Sequence, residues 1–189
     1  GSLFASINAG SAGARDVETG FLNRLALTPM QRAAMLLGQL TGVLVVAFVS
    51  SLIYLAVGFA AGMHVEAGTA GVLVVLALGL LIALAFAAVG AFIGLRTGSG
   101  ETVQGVFPLL FVFVFLSSSS LPRPLIEQDW FRSIADWNPI SYLFEGLRSP
   151  ILFGWDGQEL ALGFGFAVVI AVLGVWGAAT ALRTRLART

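Results

Sequence analysis

The chain contains no cysteine, no lysine and a single histidine, His64, and each shortage closes off a class of chemistry. Without cysteine there is no disulfide, no thiolate metal site and no thiol nucleophile, and the redox compartment stays open. Without lysine there is no Walker A phosphate loop, whose lysine must reach the terminal phosphates. The chain therefore does not hydrolyse ATP through such a site of its own. His64 and Glu66 are too few ligands for a metal site, and a solvated loop is the ordinary place for both. An intramembrane hydrolase needs a base beside a nucleophile, and the sole histidine lies outside the apolar runs. No Gly-x-Ser-x-Gly elbow is present either.

Charge is scarce too. Ten arginines balance ten acidic residues; charged residues make up 11% of the 189 and hydrophobic residues 58%, with a mean hydropathy of +0.94. That is too little charge to cover a soluble globule of this size, so the bilayer is the expected solvent. With no excess of basic charge, nucleic acid is not an expected partner.

What the chain does have is four long apolar runs bounded by ionisable residues or glycine-rich turns. Residues 42–63 are 22 uncharged residues; at about 1.5 Å per residue such a run covers about 33 Å, enough for a hydrocarbon core of about 30 Å. Residues 67–71 read as a turn, and a second span follows at 72–95. A third, 102–121, contains Pro108, where a kink is expected, and ends in Ser117–Ser120; a fourth covers 160–182. All four lack ionisable residues.

Arginines in the connections set the orientation. Arg15, Arg24 and Arg32 precede the first span, the 64–71 connection has none, the next has Arg96, and Arg183, Arg185 and Arg188 follow the last. This alternation places the first segment and the carboxy-terminal tail in the cytoplasm. Residues 123–159 then lie outside, although they hold three arginines beside Glu127, Asp129, Asp136, Glu145, Asp156 and Glu159. Within them, 125–135 and 142–147 carry apolar, aromatic and charged residues at spacings that suit short amphipathic helices. Trp130, Trp137, Tyr142 and Trp155 favour a headgroup layer, so outer interfacial or re-entrant helices are expected over about 123–155; a plain amphipathic surface loop is the alternative.

Residues 1–40 read differently. Small, weakly apolar residues are followed by Arg15-Asp16-Val17-Glu18, as though a membrane helix ended there, and the opening Gly-Ser is either native or a cloning remnant. Thr28 and Pro29 form a helix start, with Thr28 as N-cap and Pro29 where a missing N–H costs nothing. A short helix with apolar residues three to four apart precedes it over 18–25.

Small residues recur at helical spacing: Gly38 and Gly42, Gly58 and Gly62, then Ala83, Ala87, Gly90 and Gly94. They suit a dimer or bundle interface, or reflect the general glycine content of membrane helices. Gln104, Pro108 and Ser117–Ser120 either line a substrate path or hydrogen-bond to nearby backbone.

In this arrangement the sequence resembles the ABC-2 permeases, especially the drug-exporter branch related to daunorubicin-resistance permeases. In that family an acidic residue, a glycine, a leucine-rich turn and a Thr-Pro precede the third transmembrane helix. Glu18, Gly20, Leu22, Leu25, Thr28, Pro29 and Arg32 occupy those places here. A second match runs through Phe107-Pro108-Leu109-Leu110, Phe115-Leu116-Ser117-Ser118, Trp130-Phe131, Ile134-Ala135, Asn138-Pro139-Ile140-Ser141-Tyr142 and Leu147-Arg148.

The resemblance implies an all-α, polytopic integral membrane helical bundle of the type V exporter kind, without catalytic activity or cofactor of its own. ATP and magnesium would be held by a separate ATP-binding-cassette ATPase subunit. Glu18 to Arg32 would be the coupling helix docking into that subunit, and Pro108, Ser117, Ser118, Asn138, Pro139 and Tyr142 would serve the substrate path or outer gate. The expected state is a homodimer or pseudo-dimer in the inner (plasma) membrane, exporting an amphiphilic drug, lipid or glycan. Family members usually have six spans; four complete ones here imply that the first span and most of the second are absent, in a truncated protein or a fragment. The competing functional readings are a non-transporting membrane anchor or assembly protein, and a secondary transporter, which would normally carry ionisable residues inside its spans.

Overall fold

The computed structural model describes residues 11, 14, 32–119, 121 and 123–186, which are mostly helical with no strand among them. Six α-helices follow one another: α1 (Arg32–Ala60), α2 (Gly68–Thr97), α3 (Gly100–Phe115), α4 (Asp129–Trp137), α5 (Pro139–Leu152) and α6 (Gly157–Leu186), with a 3-10 turn at Arg123–Leu125 before α4. Three of them are long and apolar enough to cross a membrane: Leu36–Ala60, Gly68–Thr97 and Gly157–Thr184, with mean hydropathies of 2.5, 3.1 and 2.3. Val45, Val46, Phe48, Val49, Leu52, Ile53, Tyr54 and Val57 of α1 are all exposed. A helix that is apolar on every side and uncovered requires an apolar solvent.

The second and fourth apolar runs of the sequence fall within α2 and α6, and the first within α1 except for its last three residues, 61–63, which follow the helix. The third does not reach its expected end. Instead of spanning 102–121, α3 has 16 residues and stops at Phe115, about 24 Å at 1.5 Å per residue and short of a hydrocarbon core by itself. The serines end it. The Ser117 hydroxyl donates to the Val114 carbonyl at 2.5 Å, and that of Ser119 donates to the same oxygen at 3.1 Å. Side-chain hydroxyls so placed offer the backbone an alternative to the next helical turn. Of the coupling residues expected from sequence, Glu18, Gly20, Leu22, Leu25, Thr28 and Pro29 lie outside the described residues, and Arg32 begins α1.

The described residues form two compact units. One comprises those through Val49, Ala83–Phe107 and those from Ile170 onward. Its core is built of small side chains: Ala91, Leu95, Ala178, Ala181 and Leu182 pack with Leu36, and Ala87 and Ala88 with Leu40. A Cβ on Gly174 of α6 would stand 2.9 Å from the Ala88 Cβ and 2.9 Å from the Val89 nitrogen of α2. In lipid, where burying apolar surface gains little, this close approach supplies the dispersion that holds helices together. The stripe Ala83, Ala87, Gly90 and Gly94 is buried as an intrachain bundle interface requires, whereas Gly38 and Gly42 face open space. The turn from α2 to α3 is closed by Gly98, at φ +65°, and by the Ser99 hydroxyl, which accepts from the Thr102 N–H at 3.3 Å.

The other unit comprises Ser50–Ile82 and Pro108–Val169. In it α5 crosses α6 at two glycines: a Cβ on Gly146 would meet the Gly163 Cα at 3.0 Å, and Leu78 of α2 packs over the crossing. The N–H groups of Glu66 and Ala67 reach the carbonyls of Ile151 and Pro150 at 3.2 and 3.0 Å, satisfying the end of α5.

Gly174→Leu should lower the thermal unfolding midpoint in detergent by the equivalent of about 1–3 kcal/mol, the cost of overpacking a close contact. Gly165→Ala, on the same helix with nothing within 4 Å of its Cβ, should leave the midpoint unchanged or raise it slightly.

Candidate functional site: a polar assembly between α3 and α6

The connection from α3 to α6 begins with a helix end that must be closed. Asn138 closes it: its Nδ2 donates to the Phe113 carbonyl of α3 at 2.6 Å, while its Oδ1 accepts from the Ile140 N–H at 3.0 Å as N-cap of α5. Its extended backbone (φ −85°, ψ 114°) precedes Pro139, as a residue before proline requires, and the proline ring takes the first helical position. One amide thereby ends one helix and starts another.

Next to it the turn after α3 is bound to α5. Ser118 N–H donates to the Ser141 hydroxyl at 3.1 Å, the Ser118 hydroxyl donates to the Ser141 carbonyl at 3.3 Å, and both serines are fully buried. Arg148 Nη2 donates to the carbonyls of Ser118 and Ser119 at 3.2 and 3.0 Å. The Tyr142 hydroxyl donates to the Asp136 carbonyl at 2.8 Å, tying α5 to the end of α4, and its ring stacks on Phe166 of α6 with centroids 4.7 Å apart.

The charged centre is Arg123. Glu145 Oε1 accepts from its backbone N–H at 3.3 Å, Glu145 Oε2 accepts from its Nε at 2.6 Å, and the Arg123 Nη2 also pairs with Glu145. Glu159 of α6 accepts from Arg123 Nη2 at 3.3 Å, Asp136 of α4 lies 3.6 Å from Nη1, and the guanidinium carbon sits 4.4 Å above the Tyr142 ring. Burial works against the guanidinium's charge. The hydrogen bond and charge of Glu145, then the charge of Glu159, outweigh it and hold Arg123 above the ordinary arginine range.

Two cavities adjoin the assembly. One of about 440 Å³ is lined by Phe113, Leu116, Ile134, Trp137 and Pro139, and is apolar. The other, about 350 Å³, is lined by Arg123, Glu145, Arg148, Ser149, Phe153 and Glu159. No three His, Cys, Asp or Glu side chains among the described residues are gathered to hold a metal ion.

Of the residues expected to serve a substrate path, Ser117, Ser118, Asn138, Pro139 and Tyr142 come together here. Pro108 lies inside α3 on an exposed face, apart from them. Arg123, Glu145 and Glu159 entered the sequence reading only as charges of a connection, and Arg148 only within the family-like motif; none was given a part in the site. Their signal was present as a polar stripe, Asn138, Ser141, Glu145 and Arg148 or Ser149, spaced three to four apart along an otherwise apolar helix. Such a stripe demands partners.

Glu145→Ala would strand a guanidinium that is 17% exposed, and unfolding in detergent should register a loss on the order of 3 kcal/mol. Asp136→Asn, at a half-exposed position, should cost under about 1 kcal/mol. Asn138→Ala should cost about 1 kcal/mol for the lost N-cap, plus about 1–3 kcal/mol for the carbonyl left without its donor.

Comparison with known proteins agrees with this architecture. A sequence profile described as ABC-2 type transporter matches residues 2–152. Two curated sequences from two strains of Mycobacterium tuberculosis, each called "Probable doxorubicin resistance ABC transporter permease protein DrrC", are 25% identical over 177 residues, covering 91% of this chain. The chain spans 62% of the length of these relatives. No solved structure matches. With a profile match over most of the chain and three helices able to cross a bilayer, this is a multi-pass integral membrane protein that belongs to the ABC-2 type transporter family.

Proposed function

We propose that this chain works as the membrane-spanning subunit of an ATP-driven exporter, taking its energy from a separate ATP-binding-cassette subunit that holds ATP and magnesium. The observation that carries the reading is the family match across residues 2–152. The apolar helices support it: no Asp, Glu, Arg or His lies within 36–60 or 68–95, so these described helices carry none of the charged groups of the kind a secondary transporter uses as an ion or proton relay. The cargo class is amphiphilic, a drug, lipid or glycan, in keeping with the drug-resistance name of the relatives.

In this reading Glu18, Gly20, Leu22, Leu25, Thr28, Pro29 and Arg32 form the coupling element on the cytoplasmic side, pushed by the closing ATPase subunit, because a short rigid helix transmits a rigid-body displacement. The carboxy terminus shares that side. The polar assembly of Ser117, Ser118, Asn138, Pro139 and Tyr142 lies at the outer face of the plasma membrane as part of the exit gate. Trp130, Trp137 and Trp155 are exposed around it, and indole rings favour the headgroup layer. Two such permeases, identical or related, pair to complete the path.

The test is co-purification in mild detergent followed by assay in vesicles. A tagged chain should bring down an ATPase subunit and support ATP-dependent movement of an amphiphilic dye. Glu18→Ala or Pro29→Ala should lower cargo-stimulated ATPase activity several-fold while leaving membrane insertion intact. A chain that captures no ATPase subunit instead acts as an anchor or assembly protein.

A further inference from the structure

The contacts of Arg123 are unequal. To Glu145 it makes a backbone and a side-chain hydrogen bond and an ion pair, with the Glu145 side chain 9% exposed. To Glu159 it makes only long contacts, 3.3 and 3.4 Å, through one nitrogen, and the Glu159 side chain is 30% exposed. Arg123 and Glu145, with the Tyr142 ring beneath the guanidinium, therefore behave as one body. Glu159 sits on a different element, the first turn of α6, where Asp156 caps the helix by accepting from the Gln158 and Glu159 N–H groups at 3.0 and 3.2 Å.

Two other contacts between α5 and α6 lie near this point. Gly146 and Gly163 meet backbone to backbone and Tyr142 lies flat on Phe166; neither contact interlocks side chains. Arg123, bound to α5 through Glu145, makes a directional ion pair with Glu159 of α6, while burial and the neighbouring Glu145 carboxylate act against the Glu159 charge and weaken its hold. Behind the pair lies the 350 Å³ cavity, with room for about ten waters at about 30 Å³ each. Glu145 and Glu159 both line it, but Glu159 is 30% exposed and Glu145 9%, so water hydrates Glu159 more readily as the pair separates. Separation at Glu159 is the low-cost way to move the α4–α5 hairpin off α6.

We infer that Arg123 and Glu145 form the moving half, and Glu159 the fixed half, of an electrostatic latch that holds the exit side closed and parts between Arg123 and Glu159 during transport. This rests on the exporter reading for its role in the cycle, but the latch itself is read without transport. The cysteine-free chain permits a single reporter, Ser149→Cys, at a cavity-lining position that is 2% exposed. It is labelled in right-side-out vesicles, loaded with or without ATP, with a membrane-impermeant maleimide.

With the latch intact and no nucleotide the reporter should be protected. Adding Glu159→Gln should raise the labelling rate about fivefold or more, the shift expected for losing a coupling of ordinary size. Glu159→Asp should lie between, and Glu127→Gln, outside the cluster, should change nothing. Melting midpoints measured alongside separate opening from unfolding, because a role confined to stability would move the midpoint and the labelling together. Labelling that is the same with and without Glu159→Gln overturns the latch. If Glu159→Gln opens the reporter but ATP turnover by the partner subunit does not open the wild-type latch, the latch stands and the exporter reading falls.

Discussion

The pairing of Arg123 with Glu145 is the constraint around which the connection from α3 to α6 is arranged. A guanidinium and a carboxylate taken from water are costly to bury, and their mutual attraction offsets the cost only if their remaining donors and acceptors are also met. Here they are met from every side: the carboxylate receives both the backbone and the side chain of the same arginine, and the arginine receives carboxylates from α4, α5 and α6 and the face of Tyr142. The three carboxylates come from three different elements, and the arginine from a fourth. To satisfy one charge the chain must bring four elements together in one arrangement, which makes the pair more valuable for specifying that arrangement than for net stability.

Around this charge the backbone obeys a second demand, that no helix end be left unpaired away from water. The end of α3 falls short of a full crossing and would present bare carbonyls. Phe113 is met by the Asn138 amide, Val114 by the hydroxyls of Ser117 and Ser119, and the turn carbonyls of Ser118 and Ser119 by Arg148. The polar residues of α5 therefore complete α3 as much as they belong to α5. This explains how polar side chains lie buried in so apolar a protein: Ser117, Ser118, Asn138, Ser141, Glu145 and Ser149 are all at or below 8% exposure.

The long helices were legible in the sequence because their signal is local: an uncharged run of sufficient length can satisfy its own backbone only as a helix. Their pairing was partly legible. The stripe Ala83, Ala87, Gly90 and Gly94 marked the packing face of α2, but the facing line on α6, Gly174, Ala178 and Ala181, was hidden among other small residues, some packed as Gly163 is and some facing open space as Gly165 does. The short helices α4 and α5 were anticipated in kind, and α5 proved about twice as long as its expected core, residues 142–147. The early end of α3 was not anticipated, since Leu116–Ser119 is apolar or neutral and hydropathy alone lets a helix run on. The charged centre was missed for a related reason. Arginines and carboxylates counted over a connection set its side of the membrane, but a count discards which of them share a helix face, and Glu145 departs from a solvated loop residue only through its spacing from Ser141 and Ser149.

The two kinds of packing in this chain also divide its mechanical behaviour. Where α6 meets α2 near Gly174, side chains and backbone interlock at van der Waals distance and resist sliding. Where α6 meets α5 near Gly163, two glycines meet backbone to backbone beneath Leu78, and the charged tie to α6 comes from Arg123, which Glu145 binds to α5. Dispersion falls away within an ångström or so of separation, but a charge pair can trade its partner for water without passing through an unsolvated state, provided water is at hand. A helix held by interdigitation along one stretch and by a hydratable charge along another is stiff in the first and able to part in the second, and that asymmetry follows from the residues at the two contacts alone.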